Sequence, residues 1–226
     1  MNEIRRVPAR SRRDQPISAR QVVDVALQIV HAEGFDALSM RRVATELNTG
    51  AASLYVHVRN KAELDDLMLG TLSSRIALPK PDPLQWRSQV IEVCVQLRDQ
   101  YLQHPGIAQA AMAVVPSDLD TLRLHEGLFG ILLAGGFPPR VAAWAIDAIA
   151  LYVAAYAFER FLAARRLAGE LDWLTDPDAV ATHLSGLPST EFPLLRQHAH
   201  DLTGGAEHDR FDFALHLLLD GLSAER

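Results

Sequence analysis

SMRRVATELNTGAASLYVHVRNK, Ser39 to Lys61, is the stretch on which the reading of this chain turns. Ser39 is placed to cap a helix whose buried face is Val43, Ala44 and Leu47, with Arg41 and Arg42 pointing outward. Asn48-Thr49-Gly50 breaks that helix and leaves Thr49 available as the next cap. Ala51 to Val58 is too short to be stable alone and must lean on its neighbours through Leu54 and Val58. Two short helices joined by a tight turn make a helix-turn-helix. The outer face of the second offers Ala51, Ala52, Ser53, Tyr55 and His57. Small residues there let a backbone approach base edges, and Ser, Tyr and His are donors for phosphates. Asn60-Lys61-Ala62-Glu63 reads as a capping box, with Lys61 at a positive helix end where a phosphate is welcome.

Upstream, Ser18-Ala19-Arg20-Gln21 is a second capping box, and Ile17 with Val22 forms a hydrophobic staple. Val22, Val23, Ala26, Leu27 and Val30 then make one apolar stripe, which Gly34 stops, giving a helix of about 16 residues. Charge follows the same division. Residues 1–61 hold ten Lys and Arg against six Asp and Glu, whereas residues 62–226 hold twelve against twenty-two. A basic end on an acidic body fits a DNA reader joined to a domain that does not touch DNA. Arg5, Arg6, Arg10, Arg12 and Arg13 with no apolar periodicity suggest a basic flexible arm over 1–15, either tracking phosphates or simply solvated. Cys94 can form no internal disulfide, which fits a reducing cytoplasm, and the charged N-terminus has no apolar segment of a secretory signal.

The run LYVHVRNKAELDDL, preceded by SMRRVATELN and the amphipathic first helix, resembles the DNA-binding domain of the TetR family of bacterial repressors. Its Leu-Tyr-x-His-Val-x-Asn-Lys core is most like the tetracycline-binding members. The resemblance implies that Arg41, Ala51, Ala52 and Ser53 lie near bases, and that Ser39, Tyr55, His57 and Lys61 lie on backbone phosphates. Ala51 and Ala52 stand where those members carry bulkier base-contacting residues, so the operator sequence does not carry over.

Beyond Asn60, helical patterns alternate with Pro and Gly breaks, over 60–77, 84–103, 106–114, 118–135, 139–167, 177–186, 191–202 and 207–223. The expectation is an all-α protein: a three-helix helix-turn-helix domain over 16–63, then a larger helical ligand-binding and dimerisation domain over 64–226. Val141 to Phe158 is 18 residues long with one charge, Asp147, which costs about 3 kcal/mol in a bilayer on insertion scales. It is read as a helix buried between protein surfaces. That helix and the one ending in Leu217, Leu218, Leu219 and Leu222 are apolar over more of their surface than one chain can cover, which points to a homodimer and a palindromic DNA site.

Residues 84–226 resemble the same family more weakly. Aligned through Gly136-Phe137, the resemblance puts the family's metal-coordinating histidine on Met112, a threonine on Val115 and a glutamine on Leu128. Aligned through Trp86, it puts an asparagine and a phenylalanine on Val93 and Leu97, and only Glu159 survives of the acidic group near the metal. Thioether and aliphatic groups are poor partners for a hard cation. The resemblance therefore implies a small, largely apolar or aromatic inducer among Leu97, Tyr101, Met112, Val115, Leu128 and Ile146, with His125 or Asp147 as polar contacts. No metal, cofactor or catalytic residue is expected. The same side chains also fit a packed core with no ligand. Two rival readings stay open: a helical metal-dependent enzyme using the histidine-rich end (His183, His198, His200, His208, His216), and a DNA-binding dimer with no ligand.

Overall fold

The computed structural model describes residues 17–169, 177–206 and 208–226, and the basic arm expected over 1–15 lies outside them. Every regular element among the described residues is helical. Helix α1 (Ala19–Glu33) opens on the expected reciprocal cap: Ser18 Oγ accepts from the Gln21 N–H at 3.3 Å, and Gln21 Oε1 accepts from the Ser18 N–H at 2.9 Å. It stops at Gly34, whose φ of 84° lets its N–H reach the Val30 carbonyl. A single 3-10 turn over Phe35–Ala37, not anticipated from the pattern, leads to Ser39. Ser39 caps α2 (Met40–Glu46) as expected.

The turn that follows is built differently from the expectation. Asn48 takes φ 52°, and Gly50 rather than Thr49 precedes α3 (Ala51–Leu54), with no side-chain cap. After Leu54 the chain tightens into turns, with the His57 and Val58 N–H groups both donating to the Leu54 carbonyl. Arg42 is not merely solvated: it bridges Glu33 of α1 and Glu46 of α2, both at 2.7 Å, locking the two helices together.

Helix α4 (Lys61–Ser73) is capped by Asn60, but Glu63 bonds the N–H of Arg59 instead of that of Asn60, so the box is displaced by one residue. It ends four residues before the expected 77, where Gln96 of the next helix holds Ala77 through both its N–H (2.8 Å) and its carbonyl (3.2 Å). The body follows with α5 (Trp86–Leu102), α6 (Ala108–Ala113), α7 (Leu119–Ala134) and α8 (Pro139–Leu167). Then come α9 (Pro177–Ser185), α10 (Pro193–Gln197), α11 (Ala199–Thr203) and α12 (Asp209–Ser223). The single helix expected over 191–202 is broken at His198, whose φ of −108° and ψ of 23° interrupt the helical run.

Two apolar clusters hold these elements. The head cluster joins α1 to α4 and extends past residue 63, because Leu64, Met68, Leu69 and Leu72 belong to it together with Ile107 and Ala110 of the body. The body cluster runs through α5, α7, α8 and α12 and contains Cys94 and Leu128. Head and body are further tied by the Phe35 N–H to the Pro105 carbonyl (2.8 Å), His31 to the Gln103 carbonyl (2.7 Å) and Arg165 to Asp36 (2.5 Å).

Helix α4 approaches the start of α7 so closely that Gly70 is required. A Cβ there would lie 2.9 Å from the Asp118 Cβ and closer still to its carboxylate, which caps α7 through the Asp120 N–H. Gly70→Ala is expected to cost about 1–3 kcal/mol through overpacking, read as a lowered thermal midpoint; an unchanged midpoint would mean that α4 and α7 separate freely. The joint also carries a titratable group. His104 is buried beside His31, its Nδ1–H donating to the Gln100 carbonyl. Burial holds its pKa below the ordinary 6.5, with Arg75 and His31 adding to the depression and the Gln100 bond opposing it. The unfolded chain therefore binds this proton first as pH falls, so the stability is whole above about pH 6.5 and lost progressively below it. Urea titrations of His104→Gln should show a flatter acid slope than the wild-type chain, and matching slopes would remove His104 as the cause.

Candidate nucleic-acid interface and ligand cavity

The helix-turn-helix presents an exposed rim. Arg41 is exposed and has no ion-pair partner among the described residues. Ala52 and Ser53 are exposed, and Tyr55 is 52% exposed, so its ring is not a core residue of the head. Ser39 lies at the same rim with its oxygen already accepting from the Arg42 N–H at 3.1 Å, which leaves its hydroxyl hydrogen for an outside acceptor. Ala51 is half-buried and packs against the head cluster, and His57 is half-buried.

Lys61 departs most from the expectation of a free cation. Its ammonium pairs with Asp65 one turn on and sits 4.1 Å from the centroid of the Phe35 ring. Burial holds the Asp65 carboxyl above the usual carboxylate range, with Lys61 opposing. A phosphate at this helix end must compete with that pair. Val56, 81% exposed, received no role in the sequence reading. The available signal was a β-branched apolar residue flanked by two polar ones on an outward face.

Behind the head, a cavity of about 430 Å³ opens between α4, α5, α6, α7 and α8. Such a volume suits a small organic molecule. Leu97, Tyr101, Met112, Val115, His125, Ile146 and Asp147 all line it, although they come from four different helices and a loop. Leu128 does not. The α7 part of the wall is Thr121, Leu124 and His125, and Leu128, one turn further along the same face as Leu124, is 6% exposed within the body cluster. Asp66, Leu69 and Ser73 of α4 also line the cavity and were missed, since the sequence reading gave α4 no wall-forming role.

The polar groups of the wall are few. Burial raises the Tyr101 phenol pKa well above its ordinary value and holds that of the His125 ring below its own. Neither side chain makes a hydrogen bond among the described residues, so both can serve an incoming molecule. Asp66 accepts from the Ser117 N–H at 3.2 Å and from the Ser117 hydroxyl, linking α4 to the loop that carries Val114, Val115 and Pro116 into the wall. A second, shallower groove of about 440 Å³ lies on another face, between Trp144, Ala148 and Ile149 of α8 and Leu218 and Leu222 of α12.

Glu159 pairs with Arg210 at 2.9 Å and is not part of the cavity wall. Of the histidine-rich end, His198 pairs with Asp201 at 3.0 Å and His208 meets the Tyr156 hydroxyl at 2.9 Å.

Comparison with known proteins places both halves of the chain. Residues 22–65 match the family described as bacterial regulatory proteins, tetR family, and residues 78–226 match the tetracyclin repressor-like C-terminal domain. The HTH-type transcriptional repressor DrrR1 of Streptomyces coeruleorubidus is 32% identical over 214 residues, covering 89% of this chain and 76% of that protein. The crystal structure of apo ActR from Streptomyces coelicolor matches with a TM-score of 0.83 at 36% identity, covering 93% of this chain and 97% of ActR. ActR in complex with actinorhodin matches with a TM-score of 0.82 at 37% identity, covering 92% and 96%.

Tyr55 offers a clean test of the rim, because an exposed side chain can be removed with little effect on folding. Tyr55→Ala is expected to weaken DNA binding about tenfold, the size of one lost charge-assisted hydrogen bond, and to leave the thermal midpoint unchanged. Equal DNA affinity in a mobility-shift titration would take Tyr55 out of the interface.

Proposed function

The chain belongs to the TetR family of bacterial transcriptional regulators, and we propose that it is a repressor that binds a palindromic operator as a homodimer and releases it when a small, largely apolar molecule fills the cavity behind the head. The observation that carries this reading is the position of α4. Its first residue, Lys61, follows the helix-turn-helix rim, and three of its side chains, Asp66, Leu69 and Ser73, form cavity wall. A molecule entering the cavity cannot avoid touching the helix that holds the recognition element. For release, that molecule must bind the displaced arrangement more tightly than the DNA-bound one, and a preference of about 1–3 kcal/mol is typical.

In this reading Arg41, Ala52, Ser53 and Tyr55 face the duplex, with Ser39 and His57 at phosphates and Lys61 joining them only once its pair with Asp65 opens. Dimerisation uses the α8 and α12 groove. Trp144 is 64% exposed there and Leu218 37%, which is costly apolar surface for a lone chain to leave in water. Two copies of the chain joined at that groove present two recognition helices to successive turns of one duplex. Such a protein acts on the bacterial chromosome, hence in the cytoplasm, and away from membranes. ActR, whose complex with actinorhodin shares this fold, supports a small organic ligand over a metal chelate for this cavity.

Selection of bound sites from random duplex DNA should return a two-fold symmetric sequence. Trp144→Glu places a charge in the groove, and it should convert a sedimenting dimer into a monomer and weaken operator binding by about a hundredfold. A wild-type chain that sediments as a monomer on its operator, or selected sites without symmetry, would overturn the dimeric reading.

A further inference from the structure

Among the described residues, two carboxylates face the cavity and no Lys or Arg does. Asp66, on α4, is only 6% exposed, and both groups bonded to it, the Ser117 N–H and hydroxyl, are uncharged. Its negative charge is therefore positioned without being neutralised. Asp147 looks in from α8, on the face shared with Ala143, Ile146, Ala150 and Leu151. That face is distinct from the one carrying Trp144, Ala145 and Ala148, so a subunit seated on the α12 groove does not use the Asp147 side of the helix. Neither carboxylate has an ion-pair partner among the described residues. His125 adds no compensating charge near neutral pH, since burial holds its ring below the ordinary imidazole value.

Resting on the reading of this cavity as the inducer pocket, we infer that the molecule it takes is a lipophilic cation: an aromatic or alicyclic body bearing an amine or ammonium directed at Asp147, with Asp66 of α4 as the second carboxylate of the wall. Apart from the neutral polar groups of Ser73, Tyr101, Thr121 and His125, the walls are otherwise Leu, Ile, Val, Ala, Pro and Met carbon, beside which charges interact more strongly than in open water. An anion entering there loses its hydration and meets two like charges, whereas a cation regains through the carboxylates what it gives up in water. Tyr101 supplies an aromatic surface beside the same space, a favourable neighbour for an ammonium group. The acidic character of the body as a whole acts in the same direction over longer range, drawing cations and repelling anions before contact.

The full-length protein can be titrated with three fluorophores that share one body and differ in charge: N-(2-aminoethyl)dansylamide (cationic), N-propyldansylamide (neutral) and dansylglycine (anionic). At neutral pH and low salt the cationic probe is expected to bind about tenfold more tightly than the neutral one, with the anionic probe weakest. In Asp147→Asn, an exposed site whose substitution should leave the thermal midpoint unchanged, the cationic advantage should fall to within about threefold, and the anionic probe should gain. Asp66→Asn provides a second variant with the same expected direction. Equal binding of cationic and neutral probes by the wild-type protein would overturn this inference while leaving the cavity as a ligand site. A cationic preference that survives in both variants would overturn the assignment to these carboxylates. Failure of all three probes to bind would overturn the inducer-pocket reading and this inference with it.

Discussion

Helix α4 is packed on two sides by two different kinds of contact, and the rest of the molecule depends on that division. Leu64, Met68 and Leu72 are fully buried in the head cluster, so α4 cannot leave the helix-turn-helix without opening its core. On the other side Asp66, Gly70 and Ser73 meet Ser117, Asp118 and Thr121, a seam made of hydrogen bonds and one close backbone approach. Apolar packing is insensitive to small rotations but costly to break, whereas hydrogen bonds are directional and exchange for others at small net cost. The apolar side, which also takes in Ile107 and Ala110, therefore fixes α4 to the head, and the polar seam is where its angle to α7 can change.

Helix α8 shows why composition alone misleads. It is long and apolar enough by length and hydropathy to cross a bilayer, yet it contributes Ile149, Val153 and Tyr156 to a protein core. Only 33% of its most apolar window is buried within one chain. The remainder divides into two faces, one lining the cavity and one forming the groove with α12. A helix with three apolar faces reads as a membrane span in one dimension, although each face has its own destination in a protein that acts on DNA. Asp147 marks the difference, since it lies on the cavity face, where a carboxylate can meet a ligand.

The loss of polar anchors expected from the resemblance to tetracycline-binding proteins is only half of the cavity's chemistry. Met112 and Val115 do line the wall as aliphatic groups. Yet the wall regains polarity from α4 and α7, where Asp66, Ser73, Thr121 and His125 lie, three of which take part in the hydrogen bonds that hold α4. In the proposed reading, ligand recognition and the attachment of α4 draw on overlapping groups, and this overlap would couple an occupied cavity to the head.

Local chemistry written in the chain determined a good deal by itself. The Ser18, Ser39 and Asn60 caps, the stop at Gly34, the helical class and the 139–167 span all follow from side chains acting within one or two turns. Signals of that range survive in a one-dimensional reading because the interacting groups are sequence neighbours. The resemblance to a known family, aligned through two short landmarks, led to Leu97, Met112 and Val115, which line the cavity, and also to Val93 and Leu128, which do not. The tertiary structure alone decided what depended on distant partners. It tied Arg42 between two helices, diverted Lys61 to Asp65 and Phe35, turned Leu128 inward, brought Ile107 and Ala110 into the head cluster and set α4 along the cavity. Each of these depends on which face of a helix meets which neighbour, and a rotation of 100° per residue lets a single position separate a wall residue from a core residue.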